Sequence, residues 1–287
     1  MKLLLKRILL ILAVGWGVYG LTRLYLQRTD GFFLSHILSS NSDFPAKPYW
    51  YLNPLHQKER EKVLQALHQP YTYLGKGCQS YVFASQDGQF VLKFFKYQRF
   101  RPQAWLNPLN SLPGMTRFVQ EKAQKREKKL LSFMKSWQIA FNELKEQSGL
   151  LLMHLNKTED NWGTVTLIDR SGTTHLVDLD QTEFYLQKKG VLLEEHLLTL
   201  IDKREIEHAK KLIDKLLQTI ISEYERGIGD RDHALLQNTG ILPGDEILHL
   251  DIGQFTQDKA FMTPLCQNQE LFSKTYRFSQ FLQKHSP

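Results

Sequence analysis

Leu74-Gly75-Lys76-Gly77-Cys78-Gln79-Ser80-Tyr81-Val82-Phe83-Ala84-Ser85-Gln86-Asp87-Gly88-Gln89-Phe90-Val91-Leu92-Lys93 is the stretch around which the rest of the chain is organised. It reads as a strand, a glycine-containing turn, a second strand, a tight turn and a third strand. Gly75 and Gly77, with Ser80 where a third glycine would stand, form a loop whose backbone comes close enough to an anion for amide N–H groups to point at it. A plain β-turn explains the glycines as well. Residues 86–89 have hairpin turn chemistry. Residues 90–95 then alternate, with Val91 and Lys93 on one face. A lysine inside so apolar a strand is costly unless its ammonium meets an anion. An edge strand with a solvated lysine is the alternative.

Outward from this stretch, residues 118–144 are compatible with one long basic helix carrying Glu121, Glu127 and Glu143. Glu127 borders the apolar stripe of Leu130, Leu131, Met134 and Trp137 and is preferred over Glu121 as an inward-reaching carboxylate. Pairing with neighbouring lysines explains either glutamate equally. Residues 149–155 read as a buried strand, and residues 164–168 and 175–179 as a hairpin. Residues 194–224 read as helix, with Ile213, Leu216, Leu217, Ile220, Ile221 and Tyr224 on one core-facing stripe. Arg226-Gly227 closes it. Two short strands flanking a turn at 242–246 bring Asn238 and Asp251 together as hard oxygen donors. Magnesium takes few such ligands from protein and the rest from phosphates.

Taken in order, the glycine loop, Lys93, the helix glutamate, Asn238 and Asp251 resemble the protein-kinase-like superfamily over about residues 71–255. Gly-Ile-Gly-Asp-Arg at 227–231 and His-Leu-Asp-Ile-Gly at 249–253 are similar to the catalytic and metal motifs of its phosphatidylinositol-kinase-like branch. The resemblance implies ATP and Mg2+ as cofactors, with Lys93 on the α/β phosphates and Glu127 paired to Lys93. Gly75, Gly77, Ser80, Val82 and Val91 would line the nucleotide. Asn238 and Asp251, thirteen residues apart as in such kinases, would hold the metal. Residues 185–190 would form the hinge. The catalytic base falls at Asp232, with Asp230 second and His233 a surrogate, because the loop before Asn238 departs from the family's five-residue step. All three are alternatively inert loop charges. No Ala-Pro-Glu segment follows Gly253, and no peptide platform is left. The expected fold is therefore α+β: a bilobal kinase-like fold with a β-rich N-lobe and a reduced helical C-lobe, preceded by one transmembrane helix. Its expected divisions are 1–28, an anchor; 29–69, a connector with a short helix; 70–189, the N-lobe; and 190–287, the C-lobe.

The remaining features concern location and partners. Lys2, Lys6 and Arg7 precede an uncharged apolar run at 8–21, and a helix over 3–26 would cross roughly 30 Å of hydrocarbon with its flanking basic residues snorkelling. An uncleaved anchor is preferred over a signal peptide, because no small-x-small cleavage site follows. Arg23 and Arg28 on the far flank leave sidedness open. In the connector, Pro45, Pro48 and Pro54 punctuate the chain, and Trp50 and Tyr51 are expected to dock on the body. The 287 residues carry a net charge of +7 and a pI near 9.2. That balance suits phosphates or anionic lipid, and equally plain solubility. Two cysteines, Cys78 and Cys266, make neither a disulfide framework nor a zinc site. The expected partners are nucleotide, the membrane and an unknown acceptor or protein, with no nucleic acid. Two functions compete: a membrane-anchored phosphotransferase with a non-peptide acceptor, and a pseudokinase scaffold. An envelope protein that has merely kept an old fold is a third.

Overall fold

The computed structural model describes residues 2–39, 54–101, 108, 112 and 114–285 of the chain. Pro45, Pro48, Trp50 and Tyr51 lie outside the described residues. The architecture is mixed α+β. Helix α1 (Lys2–Thr29) comes first, and its stretch Leu9–Thr29, of mean hydropathy 1.5, is long and apolar enough to cross a membrane, as a signal sequence also is. After it come α2 (Leu34–Ile37), α3 (Gln57–Leu67) and the strands β1 (Tyr71–Lys76), β2 (Ser80–Ser85) and β3 (Phe90–Phe95). Helix α4 (Thr116–Glu143) and a short α5 (Lys145–Ser148) lead to β4 (Leu150–His154), β5 (Thr164–Ile168), β6 (Thr174–Asp178) and β7 (Phe184–Lys188).

These seven strands form one sheet in the order β4-β7-β3-β2-β1-β5-β6. Its pleat separates two layers. Phe83, Leu92, Phe94 and Leu186 point to one side, where Phe32, Ile37, Val63 and Leu67 from the preceding segments cover them. Phe95 and Tyr185 point to the other side, against Leu130, Met134 and Trp137 of α4. Lys93 shares that second face with Val82 and Tyr185, its cross-strand partners.

The chain then crosses to a helical part through Lys189 and Gly190 into β8 (Val191–Leu192). At Gly190 a β-carbon would meet the Ile241 nitrogen at 3.2 Å and the Gly240 Cα at 3.3 Å, so this crossing admits no side chain. Helices α6 (Leu193–Asp202) and α7 (Ile206–Glu225) follow. The single helix expected over 194–224 is in fact two, broken where Arg204 adopts a φ of 60°. Then come β9 (Ile228–Asp230), α8 (Leu235–Asn238), β10 (Thr239–Leu242), β11 (Glu246–His249), β12 (Phe255–Gln257) and α9 (Pro264–His285). The expected strand pair after Asn238 is β10 and β11, antiparallel, with β8 on the far side of β10. Leu197, Leu212, Leu216, Ile220, Tyr224 and Phe278 fill this part's own core.

Candidate functional site

Lys93 stands where the sheet faces the loop after β11. It is 7% exposed, its ammonium donates to the Leu250 carbonyl at 2.6 Å, and it lies 5.5 Å from the Tyr185 ring centre. Among the described residues it is in no ion pair. Burial drives its pKa down to about 8, and the nearby Asp251 carboxylate offsets part of the fall. Asp251 answers in kind. Burial raises its pKa, Lys93 and the Gly253 amide pull it back, and Asp230 and Asp232 push it up again. Its Oδ1 accepts from Gly253 N at 3.0 Å. Three aspartates from two loops thus feel one another beside one buried ammonium.

The chain brings Asn238 to the same place through the β10–β11 hairpin, in which Leu250 N donates to Asn238 O at 2.7 Å. The Asn238 carboxamide nitrogen is buried with no hydrogen-bond partner. Asp230 ends β9, is 5% exposed, and pairs with Lys274 of α9, itself 4% exposed, at 3.1 Å. Its other oxygen accepts from Asp232 N at 3.0 Å. Asp232 is half-buried and accepts from Ala234 N and from Gln254 Nε2, each at 3.0 Å. His233 turns away to Glu270 at 3.1 Å. Asp230 is therefore committed to a buried ion pair, and Asp232 is the acid at the rim.

The glycine loop closes over these groups. Gly75 lies in β1 at a bulge opposite Val82, and Gly77 N donates to Ser80 O at 3.0 Å. Open space lies beside both glycines. Ser80 is 7% exposed and its hydroxyl meets that of Tyr185. Val82 is half-buried and Val91 is 4% exposed. Between them Gln79, 5% exposed, lays its carboxamide on Gly253, where any β-carbon would collide with it. Its Oε1 is buried without a partner. Nothing in the local pattern around Gln79 signals a side chain folded under its own loop.

The Lys93–Glu127 pairing does not occur in this structure. Glu127 is exposed, and the buried residues of α4 begin one turn later, at Leu130. Glu121, the less favoured of the two glutamates, pairs with Arg117 on the helix surface. What α4 sends to the Asp251 loop is a hydroxyl: Ser136 donates to Ile252 O and accepts from Phe255 N, each at 2.6 Å. Strand β7 is tied to the same loop by Gln187, whose Nε2 donates to Ser148 O at 2.6 Å and His249 O at 2.7 Å. His249 in turn meets Glu223 of α7 at 2.6 Å, both groups buried.

No family model and no curated protein matches the sequence. Among solved structures, the bifunctional kinase-methyltransferase WbdD is similar at 16% identity in two structures, with TM-scores of 0.34 and 0.33. The match covers 69% of this chain, which spans about a third of WbdD. The complex of Rv3197 with erythromycin, from Mycobacterium tuberculosis, is similar at 13% identity over 89% of this chain and 68% of that one, with a TM-score of 0.32. Likenesses of this strength define neither a fold nor a function.

Proposed function

We propose that this is a membrane-anchored, kinase-like protein that binds MgATP between the glycine loop and the Asp251 loop and transfers phosphate to a non-peptide acceptor. The observation that carries the reading is Lys93, a buried ammonium with no ion pair among the described residues, facing a half-buried aspartate across a closed loop. A cation so placed is stable when an anion joins it. Triphosphate oxygens are such anions, and the order of loop, lysine strand, hinge and metal loop agrees with the kinase resemblance. The bilobal arrangement, a sheet lobe joined through Lys189 and Gly190 to a helical lobe, is part of the same proposal.

The donor set fits magnesium. Asp251 and Asn238 offer hard oxygens, the donor type magnesium takes. Among the described residues no group of three or more His, Cys, Asp or Glu is arranged to hold a metal alone. A magnesium ion here would draw its remaining ligands from phosphate and water. When bound, ATP supplies the transferable phosphate. Lys93 would neutralise and orient it, and Asp232, the one rim acid free of a lysine, would position the acceptor hydroxyl. With Asp230 held by Lys274, the role falls on Asp232.

One observation favours the second reading, a scaffold with weak nucleotide binding. The Gln79 carboxamide lies on Gly253, over the floor that phosphates would cross. Mg-dependent ATP turnover by the full chain decides between the two. The expected result is turnover that falls about 100-fold or more in Asp232→Asn while nucleotide affinity holds. Nucleotide binding without turnover in the wild type supports the scaffold instead.

A further inference from the structure

The end of α1 belongs to the folded body. Thr29 is 2% exposed, Asp30 and Gly31 turn the chain with φ values of 52° and 71°, and Phe32 is 1% exposed, edge-on to Tyr81 and Phe83 of β2. Asp30 accepts from the Tyr73 hydroxyl and pairs with Lys76, each at 2.8 Å, and both partners lie on β1. His36 meets the Tyr81 hydroxyl at 3.2 Å. The apolar helix thus runs straight into the hairpin that carries the glycine loop. Three residue steps lead from Thr29 to Phe32, a reach of roughly 10 Å, about one Debye length at physiological salt.

That edge of the protein is cationic. The Lys96 ammonium and the Arg99 guanidinium donate to the Gly77 and Cys78 carbonyls at the loop tip. Arg170 stands 3.9 Å from Asp30, and Arg28 is exposed on the last turn of α1. Asp30, the acid among them, is already satisfied by Lys76 and Tyr73, which leaves the remaining charge for an external anion. A bilayer that held residues 9–29 would set its headgroup layer at this edge.

We propose that the edge formed by the exposed Arg28, Arg99 and Arg170 docks on the headgroups of anionic phospholipids, seating the glycine loop on the membrane surface. This rests on α1 crossing the bilayer. It adds a second, electrostatic contact that holds the roof of the cleft at the lipid plane, on the side from which a membrane-borne acceptor would arrive. Lys96 lies beneath this edge, 6% exposed, with its ammonium on the Gly77 carbonyl, and so supports the loop tip from within.

The two cysteines provide the test, since Cys78 is exposed at the loop tip and Cys266 lies on α9. The full chain is placed in nanodiscs of phosphatidylcholine alone or with phosphatidylglycerol, and labelled with an uncharged polyethylene-glycol maleimide. The expected result is that Cys78 labels about fivefold more slowly with phosphatidylglycerol while Cys266 is unchanged. In the Arg99→Gln, Arg170→Gln variant the Cys78 rate should return to its phosphatidylcholine value. Equal Cys78 rates in both lipids, or slowing that persists in the variant, would overturn the docking. A chain that elutes free of nanodiscs overturns the anchor reading, and the docking with it.

Discussion

Lys274→Met is expected to destabilise the protein by about 3–5 kcal/mol, the usual cost of leaving one partner of a buried ion pair alone. Lys274 and Asp230 are 4% and 5% exposed and meet at 3.1 Å, and the ammonium also reaches the Asp230 carbonyl at 3.3 Å. With the lysine gone, the buried Asp230 carboxyl is left without its partner. The double variant Lys274→Met, Asp230→Asn should recover most of the loss, because removing both charges removes the orphan. Denaturant titration of wild type, single and double variants measures this. A single variant within 1 kcal/mol of wild type would mean that the pair does not hold α9 on the end of β9.

Lys93→Met is expected to move two quantities in opposite directions. The buried Lys93 has a pKa of about 8 against an ordinary 10.5. The unfolded chain therefore holds more protons between those values, and wild-type stability rises with pH through that window. Below pH 8 the burial cost is fully present, on the order of 3 kcal/mol. Methionine removes it, so the ligand-free variant should be at least as stable as wild type at pH 7, with the alkaline rise gone. Nucleotide binding should suffer instead, by about 1.5–3 kcal/mol for a lost charged hydrogen bond, tenfold or more in Kd. For the wild type the same pKa predicts weaker nucleotide binding above about pH 8, where the free lysine is neutral. A variant that loses stability and binds nucleotide as before would remove Lys93 from the site.

Much of this was written locally. Alternation in residues 90–95 gave β3 and the inward lysine, because the pleat has a period of two. The apolar stripe of 213–224 gave α7, and the turn at 242–246 gave the hairpin that joins Asn238 to the Asp251 loop. What failed depended on where elements end against their neighbours. Glu127 stands one turn before Leu130, the first buried residue of α4, and its own periodicity does not mark that boundary. The break between α6 and α7 falls at Lys203-Arg204-Glu205, with no glycine or proline to announce it. Lys274 did leave a signal, a lysine in the apolar stripe of Leu271, Phe278, Phe281 and Leu282 on α9. A cation there calls for a buried anion, and Asp230 at the end of β9 supplies it. Gln79 left none, because its contact with Gly253 joins residues far apart in sequence.

Calorimetric titration of ATP into the full chain in nanodiscs, with magnesium and with chelator, tests the central claim most directly. The account predicts binding that magnesium strengthens, and an Asp251→Asn variant in which magnesium makes no difference. Absence of binding, or binding equally strong with magnesium, with chelator and in Asp251→Asn, would contradict it.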